Sequence, residues 1–289
     1  QLKQLISNRP MCTLEQVAAA DRLGGVLGPC NLKLGVVLAS LSPFGLYWAG
    51  RRFGASGWVI ASAAIGIVLL FAGSRASWLT YALVLLLSGW RLLGWRRLLA
   101  VFAAGVVVAV VAALVSPQVR ERVERTAMGL STDASAVDDA LAGRARIWDA
   151  SLCMIRENPI NGVGARGFRE AFPGCDPRPD EMAAWGDGPA FHAHQIVLEI
   201  GSETGLIGLL MWLAGVAMAW RAWRFATPEA REQARPAMLA LVVTVFPLNT
   251  HLAFYSTFWG GFTLLLSALY AGSLLARVEP AQPEDGVLR

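Results

Sequence analysis

The chain alternates between apolar runs and short polar breaks that carry arginines, with one long polar interval in the middle. About 20 apolar residues are needed to cross ~30 Å of hydrocarbon. By that measure the pattern predicts membrane helices at 34–50, 57–73, 77–93, 98–116, 205–221, 236–254 and 257–276. Residues 1–33 are mixed and only weakly amphipathic, a lead-in segment ending in RLGGVLGPCNLKLG. Residues 277–289 form a short polar tail. The expected fold class is an all-α integral membrane protein: four helices in 34–116, a large, partly helical loop over 117–204, and three helices in 205–276.

The long loop has its own pattern. Between Gly143 and Glu157, Ile147, Trp148, Ser151, Met154 and Ile155 recur at helical spacing, giving one apolar face. Arg144 lies one turn before Trp148. Asn158-Pro159 ends that helix, because the residue before a proline avoids the α region. Asn161-Gly162-Val163-Gly164 then predicts a turn in which glycines permit a close backbone approach. His194 leads into IVLEIGSETGLIGLL and so stands at the mouth of the fifth predicted span.

Composition agrees with a membrane protein. Of 289 residues, 55% are hydrophobic and 16% charged, against about 25% charged in an ordinary soluble domain; the mean hydropathy is +0.48. The net charge of +4 and pI near 9.1 do not point to nucleic acid, because the basic residues flank apolar runs instead of clustering. Arg51 and Arg52, then Arg91, Arg96 and Arg97, then Arg221, Arg224, Arg231 and Arg235, and finally Arg277 all fall on one side of seven alternating crossings. The positive-inside rule makes that side cytoplasmic. Arg75 is then the only basic residue in the short outer turns. A charge at that level is a functional hypothesis by default, against the simpler reading that it snorkels to headgroups.

Other polar residues add less. Cys12, Cys30, Cys153 and Cys175 all fall on the outer side; a Cys153–Cys175 bridge and free thiols both remain open. No CxxC spacing is present, and His192 and His194 have no third ligand in view, so no metal or cofactor is expected. His251 reads as an interfacial residue and Asp138-Asp139 as a solvated loop. The chain opens on Gln1 with no signal-peptide pattern, and a missing N-terminal part is expected.

Four stretches in order carry a resemblance. GSRASW at 73–78, GRARIW at 143–148, NPINGVGARGF at 158–168 and HAHQIVLEIGSETGLIGLL at 192–210 resemble successive signatures of the O-antigen ligase and polymerase superfamily. RLGGVLGPCNLKLG at 22–35 is similar to that family's lead into an earlier span. Gln195 stands where the family usually has Asn, and the family's earliest helices are absent. The resemblance implies that Arg75 and Arg144 bind the diphosphate of a polyprenyl-linked glycan and that His194 is the base or acceptor-positioning group. It also makes Arg146, Arg166 and Arg169 weaker candidates for phosphate or sugar contacts, and His192 for acceptor binding.

The implied activity is a metal-independent, inverting glycosyltransferase with its active site on the periplasmic side of the bacterial inner membrane. Ligation would move a glycan from undecaprenyl diphosphate to a lipid A-core hydroxyl; the runner-up is a polymerase that extends a lipid-linked chain. Transfer to protein is disfavoured by the short tail. A transporter of lipid-linked sugar would show charged or proline-broken residues at mid-span, where Pro43 and Pro247 are the main interruptions. A structural scaffold would leave the ordered motifs unexplained.

Overall fold

The computed structural model describes residues 33–72, 74–117, 119–120, 123–124, 141, 143–183, 185, 188–247 and 253–276. The predicted lead-in at 1–32, the tail, Asp138-Asp139, His251, Cys12 and Cys30 lie outside these residues. Among the described residues there are eight helices and no strand. They are α1 (Leu34–Ala72), α2 (Arg75–Leu93), α3 (Trp95–Val115), α4 (Arg144–Glu157), α5 (Phe168–Cys175), α6 (Ile196–Phe225), α7 (Pro228–Thr244) and α8 (Thr257–Leu275). Five of them, α1, α2, α3, α6 and α8, are long and apolar enough to cross a membrane.

The first two predicted spans form one helical stretch with a break. Gly54 sits at φ 66°, ψ −153°, in a region closed to side chains. The chain folds back there, so that a methyl group at Gly35 would lie only 3.3 Å from Ala72 Cβ. The arms are therefore antiparallel, and α2 packs on them through Trp78 Nε1–H to Leu69 O at 3.0 Å and Tyr81 O–H to Ser62 O at 2.8 Å. Lipid tails are as apolar as leucine, so such interhelical hydrogen bonds, about 0.6 kcal/mol each, and close packing hold the bundle. Trp58, Leu46, Leu69, Val84 and Leu98 fill the space between the arms, α2 and α3. Most of α3 faces outward, with Val107, Val111 and Leu114 exposed, as a lipid-facing helix requires.

Two boundaries differ from the sequence reading. The span expected over 205–221 falls within the longer α6, Ile196–Phe225. The helix expected over 236–254 runs over Pro228–Thr244. Thr227 caps it, its side chain accepting from Ala230 N–H at 3.2 Å, and Pro228 occupies the first turn, where its missing N–H costs nothing. The first half of α7 consequently carries Glu229, Arg231, Glu232 and Arg235.

The polar insert folds against one end of the bundle. Ile147, Ala150 and Met154 of α4 pack with Phe168 and Phe172 of α5 and with Ala190 and Ala193, making a small core separate from that of the helices. Cys153 and Cys175 are joined in a disulfide, which resolves the two readings left open above. The bridge closes a separation of 22 residues and fastens α4 to the end of α5. Replacing both cysteines with alanine is expected to cost the insert about 2–4 kcal/mol. Amide hydrogen exchange should then rise across 144–175 and stay unchanged in α1 and α2.

Candidate active site

The insert meets the bundle through a backbone interlock. α6 breaks at Gly205, with φ 63° and ψ −155°, nearly the geometry of Gly54. A broken helix leaves carbonyls before the break and N–H groups after it without helical partners. The turn after α4 supplies them. Val163 N–H donates to Ser202 O and Gly164 N–H to Glu203 O, both at 2.9 Å, while Leu206 N–H donates to Pro159 O at 2.9 Å and Ile207 N–H to Ile160 O at 3.1 Å. The two backbones touch so closely that a methyl group at Gly162 would lie 2.3 Å from Glu203 C, and one at Gly205 would lie 2.4 Å from Ile160 C. Gly162 and Gly205 are thus explained together.

Two carboxylates are buried beside this interlock. Glu199 and Glu203 are each 1% exposed and lie on one face of the short arm before Gly205. The Glu203 carboxylate accepts the Arg166 backbone N–H, and Arg166 adopts a left-handed φ of 64° to present it. Glu199 accepts the Tyr255 N–H at 3.2 Å, and Thr204 and Tyr255 share a hydroxyl hydrogen bond at 2.7 Å. The arm is thereby tied to the turn before α8. Neither glutamate was singled out from the sequence, although an E-x-x-x-E pair in an otherwise apolar run is the kind of signal that could have found them.

The histidines stand where this arm begins. Trp148 of α4 donates from Nε1 to Ala193 O at 3.1 Å, pinning the backbone between His192 and His194. Their rings lie 3.9 Å apart, centre to centre. His194 holds a left-handed φ of 56°, a conformation uncommon outside glycine and costing of order 1 kcal/mol or more. Gln195 then caps α6, its Oε1 accepting Leu198 N–H at 2.6 Å, which gives this side chain a structural task. Arg144, the first residue of α4, is half-buried and close enough for its charge to act on His192. Burial first, and the Arg144 charge second, push the His192 imidazole down to about 4. It is neutral at pH 7.

The remaining predicted residues divide. Arg75 is the first residue of α2, capped by Ser74. It lies at the end of the bundle where Ser77 meets Gly35 and where Val36 packs with Ile196 and Ile200. Arg169 is exposed, its guanidinium 4.8 Å from the ring centre of Phe191, next to His192. The Arg166 side chain is exposed. Arg146 sits apart from the histidines, its guanidinium engaged inside the insert. Two hydrogen bonds of 2.7 Å grip Asp176, a third reaches Glu181 O at 3.0 Å and a fourth reaches Arg178 O, with Trp185 stacked beside it. Only 5% of Arg146 is exposed. It braces the insert, and its hydrogen bonds hold the Asp176 carboxyl below the usual carboxylate range.

This arrangement defines a class: a multi-pass helical membrane protein with a cationic, histidine-bearing site built where a polar insert locks onto a broken helix. Residues 59–213, more than half of the chain, match the protein family described as O-antigen ligase. The chain belongs to that family, one of membrane glycosyltransferases working on lipid-linked glycans. The matched stretch includes Arg75, Arg144, both histidines and both sides of the interlock. No curated protein matches the chain.

Two outcomes test this geometry. Gly205→Ala should cost about 2 kcal/mol or more, from strained backbone and collision with Ile160. Gly272→Ala, where nothing lies within 4 Å, should leave the melting temperature of the purified protein nearly unchanged. For His192, the unfolded chain binds the proton more tightly than the folded one, so stability contributed by the neutral ring is complete above about 6.5 and falls as pH drops toward 4. An NMR titration assigned with His192→Gln should show this ring titrating near 4.

Proposed function

We propose that the protein moves a glycan from undecaprenyl diphosphate to a sugar hydroxyl of lipid A-core, at the periplasmic face of the bacterial inner membrane. The observation that carries this is the convergence of Arg144, His192 and His194 on a segment fixed by Trp148. In this reading seven crossings, counting both arms of α1 and α7, keep Arg51, Arg91 and Arg235 cytoplasmic and the insert outside.

The chemistry follows from the groups. The donor's anomeric C1–O bond to diphosphate breaks, and a C1–O bond to the acceptor oxygen forms from the opposite face, inverting the centre. A diphosphate leaves already charged and needs no proton. Cationic side chains suffice to stabilise it, and the planar fork of arginine meets phosphate oxygens two at a time. Arg144 and Arg75 take that role. α4 helps, because its first turn has neither a side-chain cap nor an acidic residue and its N–H groups favour an anion. The Arg144 charge, which adds to burial in keeping His192 neutral, also attracts the diphosphate. The acceptor hydroxyl gives its proton to His194, imidazole being the side chain best suited to act as a base near neutral pH. Arg169 and the Arg166 side chain are placed for sugar or further phosphate contacts, and His192 for the acceptor.

The test is transfer by the purified protein in lipid nanodiscs, with lipid-linked glycan as donor and lipid A-core as acceptor. His194→Ala should lower the rate by about 100-fold or more with the fold intact, and Arg144→Ala should weaken donor binding as well. Extension of the lipid-linked glycan without transfer to lipid A-core would assign a polymerase. Donor binding with neither product would assign transport.

A further inference from the structure

At the end of the bundle away from the insert lies a cavity of about 330 Å³. It opens between the Gly54 break, the C-terminal end of α2 and the first half of α7. Arg51, Arg91 and Arg235 line it, with Glu232 as the single carboxylate. Glu232 is paired to Arg235 at 3.0 Å, and Arg51 donates to Tyr47 Oη at 3.0 Å. Three arginines against one acid leave the cavity cationic. Its inner wall is apolar, formed by Pro43, Leu46 and Leu239.

A second observation is independent of the charge. Trp58 is 2% exposed and lines the same cavity, yet its Nε1–H has no hydrogen-bond partner. A buried donor left unpaired costs about 1–3 kcal/mol, and native structures rarely leave one without reason. The ring edge bearing that N–H is flanked by glycines. A methyl group at Gly50 would lie 3.7 Å from Cδ1, and one at Gly89 would lie 2.9 Å from Cζ2. Gly50 is itself part of the cavity wall, so the edge of the ring that carries the unpaired donor lies beside the cavity. Arginines that only flank a span need no such feature.

We propose that this cavity binds the phosphodiester headgroup of an anionic phospholipid. Arg51 and Arg91 receive the phosphate oxygens, the Trp58 indole N–H completes the set, and the acyl chains run along the Pro43–Leu46–Leu239 wall. The apolar wall selects a lipid over a free anion, which would gain nothing from it. The arginines disfavour a zwitterionic choline lipid, whose quaternary ammonium would sit among like charges. The site is remote from the histidines, and its occupancy does not depend on what the protein transfers.

Native mass spectrometry of the purified protein, titrated with phosphatidylglycerol or phosphatidylcholine, tests this. Wild-type protein should retain one phosphatidylglycerol in preference to phosphatidylcholine. The double variant Arg51→Gln/Arg91→Gln should weaken retention about tenfold. Trp58→Phe, which removes the N–H and keeps a six-membered aromatic ring, should weaken it about threefold. Trp58→Phe keeps the test valid if the arginine variant fails to fold. Equal retention of the two lipids, or unchanged retention in Trp58→Phe, would overturn the proposal. So would full displacement of the lipid by millimolar inorganic phosphate, which would assign a free-anion site.

Discussion

The rest of the site depends on four backbone hydrogen bonds between the turn at Pro159–Gly164 and the broken helix at Gly205. A polar insert beside a membrane bundle has little apolar surface with which to attach itself, and side-chain ion pairs at a wet surface contribute little. Backbone groups released by a helix break are different, because leaving them buried and unpaired is costly. The break therefore creates a demand that only a closely approaching chain can meet, and the glycines at 162 and 205 make that approach possible. With the turn seated, Glu203 holds Arg166, α4 lies against α6, and Trp148 can reach the backbone of Ala193.

The left-handed backbone at His194 and the adjacent cap on α6 then fix where the imidazole begins. The candidate site brings together the start of α4 and the segment before α6, with the start of α2 proposed as a third part. The insert's own core, its disulfide and the Arg146–Asp176 brace keep the first two parts in register. The cavity near Trp58 belongs to the opposite end, where the same kind of glycine break serves a tight reversal instead of a docking surface.

Much of this was legible in the sequence because a membrane imposes length and apolarity on its helices. α2, α3 and α8 fall within three residues of their expected positions. The Thr227-Pro228 start of α7 was present to be read, but a hydropathy pattern favours the apolar half and ignores the charged one. The motif glycines could be recognised as turns, though not as partners, since contact between residues 162 and 203 has no local signature. The partners of Arg146 were hidden for a related reason, since only the fold shows Asp176, 30 residues on, accepting from its guanidinium. The glutamates of α6 were passed over because their partners are backbone groups, which carry no residue identity.

The interlock also sets an order of assembly. Synthesis runs from the N-terminus, so the Pro159–Gly164 turn leaves the ribosome before the Ser202–Ile207 segment it must meet. Until then its carbonyls and amides stay hydrated, while Cys153 and Cys175 are already available for oxidation. Closure of the insert can precede arrival of α6, and the helix then docks onto a turn whose shape is largely set. The histidines, carried on the segment just before α6, reach their places only at that last step. A nascent chain therefore holds no complete site until α6 has been inserted.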